Sequence, residues 1–510
     1  MFDARQYVCR NRGFRRILSM AVIGIGSCVN TGDTFMNIWQ QHGVWVVVTM
    51  MAAGFISWCA VADPATNRIR PWPENPTYWQ YKGEPTLLIG GSDQDNLFNH
   101  PHIPPDGLEA HLDLLVSVGG NYVRNTMSTR EEGNLYAYER NPDTGLYDLE
   151  RFYDAYWQRF RDFLDMTSAR DIIVQIEVFD RFDFARDAGE MGGWSRQPFN
   201  PANNVNYTAE ESRLPVEVTG HPGQRENPFF RTTPQQEDNP LVLRYQEAYV
   251  EKMLSISLGY GNVLYCISNE TNESEHWGAY WADFIRAKAD VAGVGVEVTE
   301  MWDPHDLNHP MHRYTFDHPH RYSFVDTSQN NHQVRQAHWD NMQAARALIA
   351  DPPRPMNNVK IYGGTPHGGG LEEGTHKLWR NILGGLASSR FHRPASGAGL
   401  SDLAQTHLRS MRMFLDVFDV FAAEPRNDLL GNREENEAYC AANPGVQYAV
   451  YFPAGGQVTL NTADASGTLT LRWLDIQHNE WQPQTETSAT AEMELTAPSE
   501  GQWMALITAS

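Results

Sequence analysis

Cysteine is scarce in this sequence. Five cysteines occur in 510 residues, and three of them, at positions 9, 28 and 59, lie near the N-terminus. Cys266 falls in the middle of a β-prone run, and Cys440 falls in what we expect to be another domain. A disulfide between these two is therefore not expected, and no cysteine array has the spacing of a zinc site.

Basic residues are also in short supply. The chain carries 40 Lys and Arg against 63 Asp and Glu, which gives a formal net charge of −23. Because binding nucleic acid requires a basic surface to neutralise phosphates, this balance argues against a nucleic-acid partner. It also makes a strongly anionic polysaccharide a less favourable substrate. The 15 Trp and 21 Tyr residues, in contrast, supply flat amphipathic rings suited to sugar faces.

A long apolar run lies close to the N-terminus. Residues 44–62 end in Ala60-Val61-Ala62 before Asp63, the small-residue pattern of a signal-peptidase site. The run is nearly long enough to span a bilayer, so a membrane anchor is the alternative. We expect residues 1–62 to be a leader that is removed on export. The mature protein would then be periplasmic or extracellular, without a stable membrane partner.

Eight β-prone runs alternate with helical patterns through most of the chain. Leu108, Leu112 and Leu115, for example, have the spacing of one helix face. Eight strands with interleaved helices fit a (β/α)8 TIM barrel better than an open doubly wound sheet. We assign residues 63–430 to this catalytic domain. The predicted strands are residues 86–91, 121–125, 171–178, 262–267, 294–301, 322–328, 358–364 and 387–392.

Two further regions differ from the barrel pattern. A polar, Pro- and Asn-rich insertion covers about residues 186–236, and its aromatic residues favour an ordered lid. Residues 431–510 contain short alternating runs separated by turns such as 453–456. This pattern predicts a small antiparallel β-sandwich, which we expect to be an accessory domain.

The fourth predicted strand ends in Ser268-Asn269-Glu270. In a barrel of parallel strands, the carboxyl ends of the strands carry the chemistry. An Asn-Glu pair there resembles the clan A glycoside hydrolases, and the resemblance implies that Glu270 is the general acid and that Asn269 binds a sugar hydroxyl. A glutamate that caps the next helix is the alternative. Partial burial is expected to raise the pKa of Glu270.

A wider resemblance covers most of the mature chain. Residues 80–395 resemble the cellulase-like hydrolases of the DUF4038 type, and residues 438–508 resemble the collagen-binding-type β-sandwich that follows such barrels. The marks of the resemblance are Ser268-Asn269-Glu270, the segments 379–381 and 390–394, and Tyr448 to Pro453. The chain departs from clan A at strand seven, which ends without the expected nucleophilic carboxylate. Glu372 and Glu373 lie several residues past the end of that strand, too far to be the nucleophile.

Glycoside hydrolysis normally requires two carboxylates. We choose Glu300 as the second, because it ends the strand next to that of Glu270 and precedes an aromatic residue. A salt-bridged residue at the barrel rim is the alternative for Glu300. No cofactor is expected, and the histidine-rich segment 303–320 lacks the fixed spacing of metal ligands. The candidate substrate-binding residues are Asp93, Arg124, Asn125, Glu177, Asp180, Asn269, Trp302, Asp326, Asn330, His367, Arg390 and His392.

The sequence thus favours an exported glycoside hydrolase that cleaves a glycosidic bond in a poly- or oligosaccharide. A non-catalytic carbohydrate-binding protein on a decayed hydrolase barrel is the alternative, supported by the missing carboxylate of strand seven. A polysaccharide lyase ranks third, since it would require a Tyr, His or Lys base that the sequence does not single out. Sugar identity, linkage and stereochemistry stay open.

Overall fold

The computed structural model of the protein describes residues 67–103, 106–129, 131, 133–186, 193–220, 227–363 and 368–509. The predicted leader, residues 1–62, and the candidate binding residue His367 lie outside these ranges. Within the described ranges, no helix has the length and apolar character needed to cross a membrane.

The N-terminal four-fifths of the described chain alternates strands and helices. The strands are β1 (Arg70–Trp72), β2 (Asn75–Tyr81), β3 (Glu84–Thr86), β4 (Leu88–Gly91), β5 (Tyr122–Thr126), β6 (Tyr138–Arg140), β7 (Tyr147–Phe152), β8 (Ile173–Asp180), β9 (Val263–Asn269), β10 (Val298–Thr299), β11 (Val325–Asp326), β12 (Met356–Asn357) and β13 (Ser388–Phe391). The helices are α1 (Leu108–Ser117), α2 (Asp154–Ala169), α3 (Ala209–Ser212), α4 (Pro240–Ser257), α5 (Glu275–Ala292), α6 (Pro310–Phe316), α7 (Arg335–Leu348), α8 (Leu371–Leu383) and α9 (Asp402–Leu415).

A six-stranded parallel sheet forms the centre of this region, in the order β10-β9-β8-β5-β4-β13, and β11 pairs with β12 in a second parallel ladder. Backbone bonds connect the two ladders: Ser323 N–H donates to Val298 O at 3.1 Å, and Ala387 N–H donates to Met356 O at 2.9 Å. Ile361, which follows β12, also forms an isolated parallel bridge with Phe391 of β13. The parallel strands therefore form at least half of a barrel, and closure into eight strands stays a prediction.

The central strands are buried on both faces because their sequences are almost continuously apolar. All seven residues of β9 are buried, as are all eight of β8. Helix α4 begins as its sequence predicts, since the side chain of Asn239 accepts a hydrogen bond from Val242 N–H and Pro240 occupies the first helical position. These elements bring the carboxyl ends of the strands to one end of the sheet.

The C-terminal part is antiparallel, as predicted. Its strands are β14 (Glu424–Pro425), β15 (Leu430–Gly431), β16 (Tyr439–Asn443), β17 (Gln447–Phe452), β18 (Gln457–Asn461), β19 (Thr468–Asp475), β20 (Glu480–Trp481), β21 (Thr485–Ser488), β22 (Glu492–Thr496) and β23 (Trp503–Ala509). One sheet has the order β14-β16-β17-β23-β19-β20, with β21 also paired to β19, and the other has the order β15-β18-β22. Buried apolar residues such as Val450, Leu460 and Ile507 pack in a core of their own. This arrangement supports a β-sandwich.

The described parts of the insertion pack through aromatic rings. Phe229 stacks on Phe184 with the ring centres 3.9 Å apart, and Phe199 and Phe230 contact the same pair of rings. Phe184 ends the short 3₁₀ turn Arg181–Phe184, which directly follows β8. The insertion is therefore anchored to the turn that leads away from the end of this strand.

Candidate active site

A cavity of about 470 Å³ lies where the central parallel strands end. Its charged lining residues are Asp95, Arg124, Arg181, Glu270, Asp303, Lys360 and Arg393. Asn269, His305, His332, Tyr362 and His392 add polar and aromatic surface. The cavity thus combines convergent charged groups with flat rings, as binding sites for small polar molecules do.

Glu270 directly follows β9 and has a left-handed backbone conformation, with φ at 59°. Such a conformation is uncommon for a residue other than glycine and turns the chain sharply at the strand end. Its carboxylate accepts hydrogen bonds from Arg181 Nη2 at 2.9 Å and from Tyr362 Oη at 2.8 Å. Lys360 Nζ forms a close ion pair with the same group. Three donors therefore fix the side chain of Glu270.

The electrostatic state of Glu270 differs from the expectation. Burial by itself would raise the pKa of this carboxyl, but the ammonium of Lys360 and the guanidinium of Arg181 hold it well below its ordinary value. Glu270 is therefore ionised at neutral pH. The expectation of a raised pKa is wrong, because the sequence did not show the two cations that pack against the carboxylate.

Asp303 is the second carboxylate that shares this part of the cavity. Its Oδ1 accepts a hydrogen bond of 2.7 Å from the same Arg181 Nη2 that contacts Glu270 Oε2 at 2.9 Å. Because both bonds end at one nitrogen, the two carboxylate oxygens lie at most about 5.6 Å apart. Asn272 Nδ2 donates to the other oxygen of Asp303 at 2.7 Å. The Asp303 side chain is 25% exposed, so solvent reaches it.

A buried ion-pair network lies on the other side of the cavity. Arg124 binds both oxygens of Glu177 at 2.6 Å and also donates to Asp95 at 2.6 Å. Arg393 Nε donates to the second oxygen of Asp95 at 2.6 Å. Burial holds the pKa of His392, which faces Asp95, well below its ordinary value, so its imidazole is neutral. The network fixes Arg124 in a single orientation.

Glu300 is not among the residues that line the cavity. The side chain is fully buried, and its Oε1 accepts hydrogen bonds from Ser268 N–H at 2.8 Å and Met301 N–H at 2.9 Å. Burial raises the pKa of Glu300 to about 8. The carboxylate that this segment delivers to the cavity is Asp303, three residues further on.

The other predicted residues fall into two groups. Asn269, Arg124 and His392 line the cavity, while Glu177 and Asp180 bond to Arg124 and Asn269 respectively. The second group bonds to structural partners instead: Asp93 to Leu400 N, Asn125 to Phe98 N, Trp302 to Thr315, Asp326 to Ser328 N, Asn330 to His338 O and Arg390 to Val359 O. None of these six is among the residues that line the cavity, and their role as substrate contacts stays a prediction.

Several site residues were not singled out from the sequence. Lys360, Tyr362 and Arg181 contact Glu270, and the rings of His305 and His332 stack with their centres 3.5 Å apart. Two-residue alternation in strand seven could have indicated Lys360 and Tyr362, because positions 360 and 362 fall on one face of a strand. Arg181 lies on a turn, where no periodic signal exists. The described residues contain no cluster of three or more His, Cys, Asp or Glu side chains that could hold a metal ion.

Residues 131–299 match the family model of a domain of unknown function, DUF6298. This is not the DUF4038 family that the sequence motifs suggested. No curated protein matches the chain in sequence. A glycoside hydrolase family 5 structure from Bacteroides vulgatus superposes with a TM-score of 0.59 at 14% identity, over 87% of this chain and 94% of that one. Another structure, described as a glycoside hydrolase, gives 0.56 at 11% identity, over 87% and 97%. The chain therefore has a glycoside-hydrolase-like fold.

Proposed function

We propose that the protein is a glycoside hydrolase acting on a poly- or oligosaccharide, with Glu270 and Asp303 as its carboxylate pair. The observation that carries this proposal is the separation of at most about 5.6 Å between their oxygens, in a cavity at the strand ends. Retaining glycosidases hold their two carboxyl groups about 5–5.5 Å apart. The fold likeness to glycoside hydrolases supports the same conclusion.

The two carboxylates take different roles. Glu270 is held ionised by Lys360 and Arg181, so it acts as the nucleophile on the anomeric carbon rather than as the general acid. Tyr362 fixes the orientation of this nucleophile through its hydrogen bond. Asp303 pairs with Arg181 in the free protein, and solvent reaches its side chain. In the complex it takes up a proton from solvent, gives that proton to the departing glycosidic oxygen and then activates the hydrolytic water.

The variants Glu270→Gln and Asp303→Asn test these roles on two kinds of substrate, natural oligosaccharides and aryl glycosides with activated leaving groups. We expect Glu270→Gln to abolish turnover of both kinds. Asp303→Asn is expected to lower turnover of natural substrates by ~10²–10⁴-fold. With activated substrates it should spare the release of the leaving group, which needs little protonation, so that a burst of aryl product precedes slow hydrolysis of the glycosyl-enzyme. Glu300→Gln serves as the matched control, because its carboxyl lies outside the cavity lining. The reverse pattern, with activated substrates spared in Glu270→Gln, would restore Glu270 as the acid.

A non-catalytic carbohydrate-binding protein is the second candidate. The observation that favours it is that Lys360, Arg181 and Tyr362 already bind the Glu270 carboxylate, so that its negative charge is compensated in the free protein. Wild-type protein that binds oligosaccharides but turns over none of them, with the same affinity in Glu270→Gln, would establish this second function.

The remaining parts of the proposal concern the whole chain. We propose that the parallel strands close into an eight-stranded barrel and that the sandwich is an accessory domain. The enzyme would be exported to the periplasm or the extracellular space, and cleavage after Ala62 would remove its leader. N-terminal sequencing of the mature protein is expected to find Asp63 first, and retention of residues 20–60 on a membrane-bound form would contradict export.

A further inference from the structure

Arg181 has hydrogen-bonding capacity that the protein does not use. Its side chain is 7% exposed and lines the cavity, and its Nη2 bonds to both Glu270 and Asp303. Its Nε and Nη1 atoms are buried without a hydrogen-bond partner among the described residues. Arg124 differs, because all three of its nitrogens bond to Glu177 or Asp95. Buried donors are normally satisfied, so the unused donors of Arg181 are available to acceptor atoms of a bound molecule.

The charges around the cavity are already balanced. Each of the four cations has a carboxylate partner, and the four pairs are Arg124–Glu177, Arg393–Asp95, Lys360–Glu270 and Arg181–Asp303. An acidic sugar would bring a further carboxylate, and the described residues that line the cavity include no fifth cation to pair with it. Burying such an uncompensated charge is costly, whereas burying hydroxyl groups requires only hydrogen-bond donors and acceptors.

We infer that Arg181 is a substrate-binding residue that donates its Nε–H and Nη1–H groups to hydroxyl or ring oxygens, and that the cavity selects a neutral glycan over a uronate. This inference rests on the proposed function, because it takes the cavity to be a carbohydrate site. The turn Arg181–Phe184 positions the guanidinium directly after β8, between Glu270 and Asp303. Arg181 thus lies between the two carboxylates that the sugar must reach.

The experiment compares neutral and acidic oligosaccharides of equal length on the full-length protein. Titration calorimetry would use gluco-, manno- and xylo-oligosaccharides as neutral probes and oligogalacturonates as acidic probes. We expect at least one neutral series to bind ~10-fold or more tightly than the acidic series. The salt dependence of binding to the neutral series should be weak, because no net charge is neutralised.

Two variants test the role of Arg181 itself. Arg181→Lys keeps the charge balance but removes the planar fork of donors, and it is expected to weaken neutral-sugar binding by ~10-fold. Arg181→Met removes both the charge and the donors, and it is expected to weaken neutral-sugar binding by up to ~100-fold. Where turnover is measurable, Arg181→Lys, which keeps a cation beside Glu270, should raise KM more than it lowers kcat. Arg321→Lys is the matched control, since Arg321 pairs with Asp283 outside this cavity.

The possible outcomes separate the two proposals. Tighter binding of oligogalacturonates that depends on Arg181, with turnover that still requires Glu270, would overturn the neutral-glycan inference and leave the hydrolase proposal standing. Unchanged affinity in Arg181→Lys and Arg181→Met, with both variants folded by thermal melting, would overturn the role of Arg181. A protein that binds neither class of sugar would overturn both the inference and the proposed function.

Discussion

At the scale of single residues, Glu270 and Glu300 show how neighbours decide the effect of burial. Both are buried glutamates at the ends of adjacent strand segments. Glu270 meets two cations, and its pKa falls well below the ordinary value despite burial. Glu300 accepts hydrogen bonds from backbone N–H groups and a hydroxyl, and burial raises its pKa to about 8. One is therefore an ionised group in the cavity, and the other is a protonated group in the core.

Replacing Lys360 with Met should raise the pKa of Glu270. The substitution removes a cation that stabilises the ionised form, so the carboxyl will hold its proton to a higher pH. We expect the acidic limb of the kcat/KM profile to move to higher pH by ~1 unit or more, which corresponds to ~1.4 kcal/mol of lost interaction. Lys360→Arg, which retains the charge, is the control. An acidic limb at the wild-type pH in Lys360→Met would show that Glu270 does not control this limb.

Glu300→Gln should change how stability depends on pH. The folded wild type binds the Glu300 proton more tightly than the unfolded chain does, so this group lowers the free energy of unfolding as pH rises from about 4.3 to about 8. The slope is ~1.4 kcal/mol per pH unit at most. Glutamine mimics the protonated acid, so the variant loses this dependence.

Chemical denaturation of wild type and Glu300→Gln at pH 5 and pH 8 measures the effect. The free energy of unfolding of the variant, relative to that of the wild type, should be higher at pH 8 than at pH 5, because the other titrating groups are common to both proteins. A difference that is the same at both values would mean that Glu300 is not protonated in the folded state. Activity close to that of the wild type is expected throughout.

At the scale of elements, apolar runs predicted the central strands well and the later ones less well. The predicted strand 262–267 is confirmed as Val263–Asn269, because a continuous apolar run has to be buried on both faces. The strand predicted at 294–301 is regular only at Val298–Thr299. Side chains take over the backbone donors there: Glu300 accepts from Ser268 N–H, and Ser323 Oγ accepts from Val298 N–H. Hydrophobic periodicity does not show where a side chain replaces a backbone group as the acceptor.

The candidate site could be predicted only in part for a related reason. Polar residues that end apolar runs stand out in a sequence, and this signal found Asn269, Glu270 and Arg124. Lys360 and Arg181 resemble solvated surface cations when read in isolation. Their burial depends on Glu270 and Asp303, which are distant in the chain. The pairing of charges across strands is therefore what the sequence alone could not supply.

Phe229→Ala should loosen the insertion and the turn that carries Arg181. Phe229 is fully buried and stacks on Phe184, the last residue of that turn. Truncating a buried phenylalanine typically lowers the free energy of unfolding by ~3–5 kcal/mol. Phe229→Leu, which fills more of the space, is the control and should lose less. Denaturation curves and kcat/KM would be measured together, and loss of stability with no effect on kcat/KM would show that the insertion does not position the turn.

At the scale of the whole molecule, the C-terminal antiparallel part packs directly on the region of the parallel sheet. The Tyr451 ring of β17 stacks on Trp379 of α8 with the ring centres 5.7 Å apart. Tyr451 Oη donates to Gln502 at 3.0 Å and lies 2.6 Å from His376 Nδ1. Gln502 in turn donates to Thr375 at 3.0 Å. The contact combines an aromatic stack with a connected set of buried hydrogen bonds, so the two parts should support each other's stability.

Tyr451→Phe tests this coupling without exposing the apolar surfaces of either part. The ring stack on Trp379 is kept, but His376 and Gln502 lose a buried partner, and an unsatisfied buried polar group costs ~1–3 kcal/mol. We expect the free energy of unfolding to fall by that amount, whereas Tyr153→Phe, at an exposed position, should leave it unchanged.

Truncation after Leu430 removes strands β16 to β23, and with them all of the contacts that Tyr451 makes to α8. It would expose the face of α8 that Tyr451 covers, so the shortened protein should melt at a lower temperature or aggregate. The described residues that line the cavity all precede this point, the last being Ser396. Any activity that the truncated protein retains should therefore show the same pH dependence as the wild type. A shifted pH optimum, measured on the soluble fraction, would mean that the sandwich contributes a group to the site.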